Sequence, residues 1–267
     1  MNGVVTSLNN PAVKLVKSLY MKKYRDEHGL YFVEGFKMVG EALDEDIRIH
    51  MLLYSKDFNI GLLPLDGGNA HIQRICVDPA VFSRISDVKT PQGIIGIIEK
   101  NKYSVTHDLL EKKGFWVVLD RVQDPGNMGT IIRTIDAAGG DGVVLLKGCC
   151  DAYNPKSLRA SMGSIFRIPV VGVEENRTFF SDLRRNGIDI VVSSINGDNI
   201  FEWSSHNTQG SGVLVIGNES AGVSSEIMDL ADHVVSIPIY GGAESLNASV
   251  AAGILIYQLV GRYNAKA

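Results

Sequence analysis

Short apolar runs separated by polar turns make up most of this chain, and their character changes near residue 115. Before that point the pattern is mixed. Asn10-Pro11 suits a helix start, since Asn can cap and Pro fits the first turn. The stretch 11–26 then places Ala12, Leu15, Val16 and Leu19 on one side of a helical wheel. "LYFVEG" reads as a strand, a helix begins near Phe36, and "RIHMLLYS" reads as a second strand. A short helix over 79–85 and a strand "GIIGIIEK" complete a small α/β domain over 1–99. Residues 100–114, "KNKYSVTHDLLEKKG", are polar and charged and read as a linker.

From 115 to 267 the pattern becomes repeated strand-loop-helix units. Strands are expected at "FWVVLD", "GVVLL", "IPVV", "DIVVSS", "GVLVIG" and "VVSIPI", with helices near 128–138, 155–165, 177–186, 224–230 and 247–262. Several of these strands are continuous Val/Ile/Leu runs rather than alternating ones, as a parallel sheet buried on both faces requires. The second domain is therefore expected to be doubly wound α/β. Its last helix is apolar almost all round, which suits deep burial.

At 267 residues, with 45% hydrophobic and 21% charged content, the chain can bury a full core without disulfides or metal. The N-terminus lacks the layout of a signal peptide, and no apolar run reaches the roughly 18–20 residues of a membrane span. A cytoplasmic protein with no membrane segment is expected. Cys76, Cys149 and Cys150 show no zinc-binding spacing and the six histidines form no HExxH, so no metal is expected. The net charge of −4 gives no global signature of nucleic-acid binding. Locally the picture differs: Lys14, Lys17, Lys22 and Arg25 fall on one side of the 11–26 wheel. That stripe is either a solvated face or a patch for RNA phosphates.

In doubly wound sheets, ligands sit beyond the carboxyl ends of strands. Three such loops carry unusual residues. In "VVLDRVQDPGNMGTIIRTIDAAG" a strand ends at Asp120, a Pro-Gly-Asn turn follows, and a helix carries Arg133. Arg133 lies about 200° from Ile131 on the wheel and points away from the packed face. It could equally be a surface arginine paired with Asp136. In "VLVIGNESAGVSSEIMDLADH" a buried strand runs into Gly217, Asn218 and Glu219. Glycine lets backbone approach a ligand closely, whereas Glu219 alone could simply meet free N–H groups at a helix start. In "IPIYGGAESLNASVAAGILIYQL", Gly241-Gly242 permit unusual backbone angles. Glu244, Ser245 and Asn247 crowd a helix entrance that needs only one cap.

GxGxxG with a following acid, GxxxxGK[ST] and Gly-x-Ser-x-Gly are all missing. A dinucleotide oxidoreductase, a P-loop ATPase and an α/β-hydrolase are thus poorly supported. In contrast "NMGTIIRT", "VIGNESAG" and "IPIYGGAESLNASVAAGILIYQL" together, in this order, resemble the three motifs of the SpoU (TrmH-like) RNA ribose 2′-O-methyltransferases of the SPOUT superfamily. More loosely, "SLNNPAVKLVKSL", "YFVEGFKMVGEAL" and "TPQGIIGII" are similar to the small substrate-binding domain of some members, itself related in shape to certain ribosomal RNA-binding proteins.

The resemblance implies transfer of a methyl group from S-adenosylmethionine to a ribose 2′-hydroxyl. It further implies a deep trefoil knot near the C-terminus, and a homodimer formed through that region with site groups crossing the interface. By the same resemblance Asn127, Arg133, Glu219, Ser245 and Asn247 take the catalytic positions, while Gly217, Asn218, Ile237, Gly241, Leu246 and Asn247 surround the cofactor. Arginine holds its proton to above about pH 12, so orienting a phosphate is the less demanding role for Arg133, with general base as the alternative. The added N-terminal domain makes 23S ribosomal RNA the expected substrate. Transfer RNA, or RNA binding without catalysis, are the alternatives.

Overall fold

The computed structural model describes residues 3–45, 47–112, 114–203 and 210–263. It divides into two compact units, one of residues 1–101 with 153–159 and one of 102–152 with 160–267.

In the first unit, α1 (Pro11–Ser18) starts at Asn10, whose side chain accepts from the Ala12 N–H, with Pro11 in the first turn. The expected helix over 11–26 breaks here, however. The chain turns at 19–21 and resumes as α2 (Lys22–His28), which ends on left-handed Gly29. The cause is Arg25, whose guanidinium folds back onto the Leu19 and Tyr20 carbonyls at 2.6 and 2.8 Å. Then come β1 (Leu30–Glu34), α3 (Phe36–Asp44), β2 (Ile49–Ser55), β3 (Gln73–Val77), α4 (Pro79–Ser83) and β4 (Ile94–Glu99). The sheet order is β1-β4-β2-β3, with β4 antiparallel to β1 and β2, and β3 parallel to β2. The edge strand β3 was not expected, because "QRICV" opens with two polar residues. Val13, Val16, Leu19, Phe32, Phe82 and Ile97 belong to the core beneath the sheet.

The stretch 100–114 is not a bare linker. Residues 105–111 form a seven-residue π-helix, and its Leu109 is buried in the core of the second unit. That unit has β5 (Phe115–Leu119), α5 (Pro125–Ala138) and β6 (Gly142–Leu145). α6 (Pro155–Ser161) follows, most of it packed with the first unit, as the Arg159–Asp87 ion pair at 2.9 Å shows. Next are α7 (Ser164–Arg167), β7 (Val170–Gly172), α8 (Asn176–Arg185), β8 (Asp189–Asn199), β9 (Gly212–Ile216), α9 (Ser225–Met228), β10 (His233–Ser236) and α10 (Ala248–Tyr263). The helix expected over 155–165 is two helices, because Met162 and Gly163 both adopt positive φ, 48° and 86°, and stop the first.

All six strands are parallel, in the order β10-β8-β9-β5-β6-β7, so this unit is doubly wound α/β. Strands β5 and β9 are buried along their whole length, as their continuous apolar runs require. The chain leaves β5 toward β6 and β7, then returns to the other side for β8, β9 and β10. The switch point therefore lies between β5 and β9, where ligands bind in such sheets.

Candidate active site

Three segments meet at the carboxyl end of that switch point. After β5, the buried carboxylate of Asp120 takes the Arg121 Nε at 3.1 Å and the Ser224 N–H at 2.8 Å. The loop after β5 is thereby tied to the loop after β9. Arg121 itself sits at φ 55°, a left-handed conformation uncommon for a side-chain-bearing residue. Its carbonyl accepts from Asn218 Nδ2 at 2.9 Å. Helix α5 begins earlier than the sequence suggests: Asp124 caps it, accepting from the Asn127 N–H at 2.9 Å, and Pro125 enters its first turn. Asn127 is therefore a helical residue with a fixed side chain and not part of a free turn.

Glu219 bridges the first two segments. Its Oε1 accepts from Asn127 Nδ2 and the Asp124 N–H, both at 3.1 Å, and its Oε2 from the Gln123 N–H at 3.3 Å. Partial burial works against ionisation. The bonds from Asn127, Asp124 and Gln123 outweigh it and hold the carboxyl below its ordinary range. Gly217 makes this geometry possible: a Cβ there would stand 2.2 Å from the Gly222 carbonyl carbon and the Val223 nitrogen. The turn it permits closes through paired Asn218–Gly222 backbone bonds of 3.1 and 2.9 Å.

The third segment joins through Asn247, the cap of α10, whose Oδ1 accepts from the Ser249 N–H at 2.9 Å. Its Nδ2 donates to Asn127 Oδ1 at 3.1 Å. Glu219, Asn127 and Asn247 thus form one chain of side-chain bonds across all three segments. Arg133 stands outside it. Its side chain is exposed and has no partner among the described residues. The pairing with Asp136 that would make it an ordinary surface arginine does not occur, because Asp136 is taken by Arg167 at 2.8 Å.

Beside this network lies a cleft of ≈ 730 Å³, within the range of about 300–1,000 Å³ usual for small-molecule and cofactor sites. Gly217, Asn218, Ile237, Ser245 and Leu246 line it, and Asn247 and Gly241 do not. The Gly-Gly entrance is plainer than expected. Neither Gly241 nor Gly242 has positive φ, and a Cβ on either would meet open space. Glu219 and Glu244 line it as well, and part of the remaining wall comes from residues the sequence did not single out. Strand β10 pairs with β8 at Val234–Val192 and then skips to Val235–Asp198, and the skipped stretch brings Ser193, Ser194 and Ile195 to the cleft. Gly197 is the one readable sign of this, since a Cβ there would lie 2.6 Å from the Val235 backbone. Apolar Ile195, Ile216 and Leu255 against strand-end backbone groups suit a flat heteroaromatic ring with polar edges, so the cleft fits an adenosine-containing cofactor.

Cys149 and Cys150 lie by the same loops. Burial first, then for Cys150 the neighbouring Cys149 and nearby carboxylates, push their thiols up to about 11 and about 12, which favours the protonated thiol at neutral pH. In the first unit, Lys14 and Lys17 are exposed, and Lys22 is exposed but paired with Asp26 at 2.7 Å. Arg25 must be removed from the basic stripe: it is 2% exposed and spent on the α1–α2 corner.

Residues 114–257 match the SpoU rRNA Methylase family, and residues 10–96 match an MRM3-like substrate binding domain. The 23S rRNA (guanosine(2553)-2′-O)-methyltransferase RlmP of Bacillus subtilis is 35% identical over 259 residues, covering 96% of this chain and 99% of the relative. An AdoMet-bound rRNA methyltransferase from Sinorhizobium meliloti superposes with a TM-score of 0.82 at 34% identity, covering 96% of each chain. The SpoU methyltransferase AviRb from Streptomyces viridochromogenes, in complex with AdoMet, superposes with a TM-score of 0.79 at 28% identity, covering 95% of this chain and 98% of that one.

Proposed function

Since the chain belongs to the SpoU rRNA methylase family, we propose that it transfers the methyl group of S-adenosylmethionine to a ribose 2′-hydroxyl of 23S ribosomal RNA. The observation that carries this reading is the Glu219–Asn127–Asn247 chain. It welds three loops into one rigid rim beside a cofactor-sized cleft, while Arg133 has no partner among the described residues. When bound, S-adenosylmethionine supplies an electrophilic methyl group. Gly217, Asn218, Ile237 and Leu246 hold it, and Asn247 acts on the cleft through Asn127. Gly241 is left with no direct part. The Ser245 hydroxyl, on the cleft wall, orients the ribose. Arg133 offers a planar two-donor fork to the RNA phosphate and so sets the angle of the 2′-hydroxyl. Glu219 supports the rim rather than Arg133.

The lysines of the first unit, Lys14, Lys17 and Lys22, supply a phosphate-binding stripe, and the MRM3-like match of this unit supports a substrate-binding role for it. A homodimer belongs to the same proposal. On α10 and the segment leading to it, Val250, Tyr257 and Tyr240 are 51%, 60% and 88% exposed, and a second copy would cover them. A trefoil knot near the C-terminus belongs to the same proposal and would involve residues 237–247, which run from edge strand β10 to a helix packed on α5, β5 and β9.

Tritium transfer from labelled S-adenosylmethionine to ribosomal and transfer RNA, isolated from a strain lacking the protein, tests the reading. Label should enter 23S RNA and be lost with Arg133→Ala and with Arg133→Lys, because lysine lacks the fork. Near-normal turnover by R133K would remove Arg133 from its phosphate-orienting role. No transfer to any RNA, with no cofactor binding by calorimetry, would overturn the activity itself.

A further inference from the structure

Arg133 shares α5 with an acid placed to compete for it. Asp136 lies three residues on, on the same side of the helix, where an Arg–Asp pair forms readily. Its Oδ2 is instead occupied by Arg167, from Nε at 2.9 Å and Nη2 at 2.8 Å. Arg167 is itself well placed. It ends α7 just beyond the left-handed Met162-Gly163 corner, and its Nη2 also donates at 3.2 Å to the buried Ser164 Oγ. The two side chains are 35% and 18% exposed, so the pair is more sheltered than most surface pairs.

We propose that Arg167 is a positioning residue for RNA binding: by holding Asp136 it keeps the Arg133 guanidinium free for the RNA phosphate. It also neutralises a carboxylate that would otherwise repel that phosphate. Without Arg167, Asp136 turns to Arg133 one helical turn away, and the anion site loses both its donor fork and its net positive charge. The inference rests on Arg133 acting as the phosphate ligand.

The test compares full-length wild type, Arg167→Ala, Asp136→Asn, the R167A/D136N double variant and R133A in methyl transfer to 23S RNA. KM for RNA, KM for S-adenosylmethionine and Tm are measured for each. R167A should raise KM for RNA about fivefold, the effect of one misplaced charge near a phosphate, and leave KM for the cofactor unchanged. The double variant should restore KM for RNA to near the wild-type value while keeping the Tm of R167A, since asparagine cannot capture Arg133. D136N alone, which removes the competing carboxylate and leaves Arg167 its bond to Ser164, should bind RNA at least as well as wild type. A double variant as impaired as R167A, or a D136N protein with a raised KM for RNA, would overturn the inference and assign Arg167 to structure alone. Wild-type kinetics in R133A would instead overturn the premise about Arg133, a result separate from either.

Discussion

Glu219 shows how a single carboxylate can hold together the loops of a site whose cleft it also lines. Its bonds to Asn127 and to the Gln123 and Asp124 N–H groups all favour the ionised form. Because its folded pKa is depressed, the stability it contributes is complete above the ordinary glutamate value. That contribution is lost as pH falls below the ordinary glutamate value and through the lower folded one. Glu219→Gln should therefore lower Tm at pH 7 by an amount matching about 1 kcal/mol, and the two proteins should converge in thermal melts as pH is lowered past the ordinary glutamate range. A gap that stays constant with pH would mean the carboxylate is not the group responsible. Arg25 shows the opposite relation of sequence to role. In the sequence it is one of several cations on a stripe, and its burial and its two carbonyl partners come from the α1–α2 corner it makes. Arg25→Ala leaves two carbonyls without donors and should cost about 2–3 kcal/mol in urea unfolding. RNA affinity per folded molecule should not change, in contrast with Lys14→Glu.

At the scale of elements, the cleft depends on backbone passing through backbone space. Gly217→Ala would set a methyl group 2.2 Å from the turn that closes on it, so the 217–222 loop must open. Calorimetry should then show at least a roughly tenfold loss of cofactor affinity; unchanged affinity would mean the loop does not shape the cleft. The strands and most helices were legible because their cause is local: continuous Val/Ile/Leu runs for β5 and β9, and cap-proline pairs at Asn10-Pro11 and Asn154-Pro155. Even the Asp124-Pro125 start of α5 carried that signature, hidden because Pro-Gly-Asn also spells a turn. What escaped has a distant cause. The break between α1 and α2 needs Arg25 to reach back six residues to Leu19. The wall of Ser193, Ser194 and Ile195 exists only because β10 skips along β8. Among site residues, the motifs brought Asn127, Glu219 and Asn247 into one network, yet nothing in them distinguished an Arg133 without a partner among the described residues from a paired one. That difference is made by Arg167, 34 positions on.

For the whole molecule, the exposed apolar side of α10 is the feature one chain leaves uncovered. Ala252, Leu255, Ile256, Leu259 and Tyr263 face inward, with Tyr263 stacked on Phe115 at 5.6 Å, while Val250 and Tyr257 face out. Tyr257→Glu puts a charge where a second copy should sit. Sedimentation should show a dimer for wild type and a monomer for the variant, with methyl transfer falling in parallel; a wild-type monomer would remove the dimer from the proposal. The Asn247–Asn127 bond carries a further consequence, in time. It joins residues 120 positions apart, and Asn247 is oriented by the first turn of the last helix. Chains emerge from the N-terminus at about 5–20 residues per second, so the first unit and β5 through β9 can fold while the rim is still open. A nascent chain can therefore complete its first unit before the Asn247–Asn127 bond closes the rim.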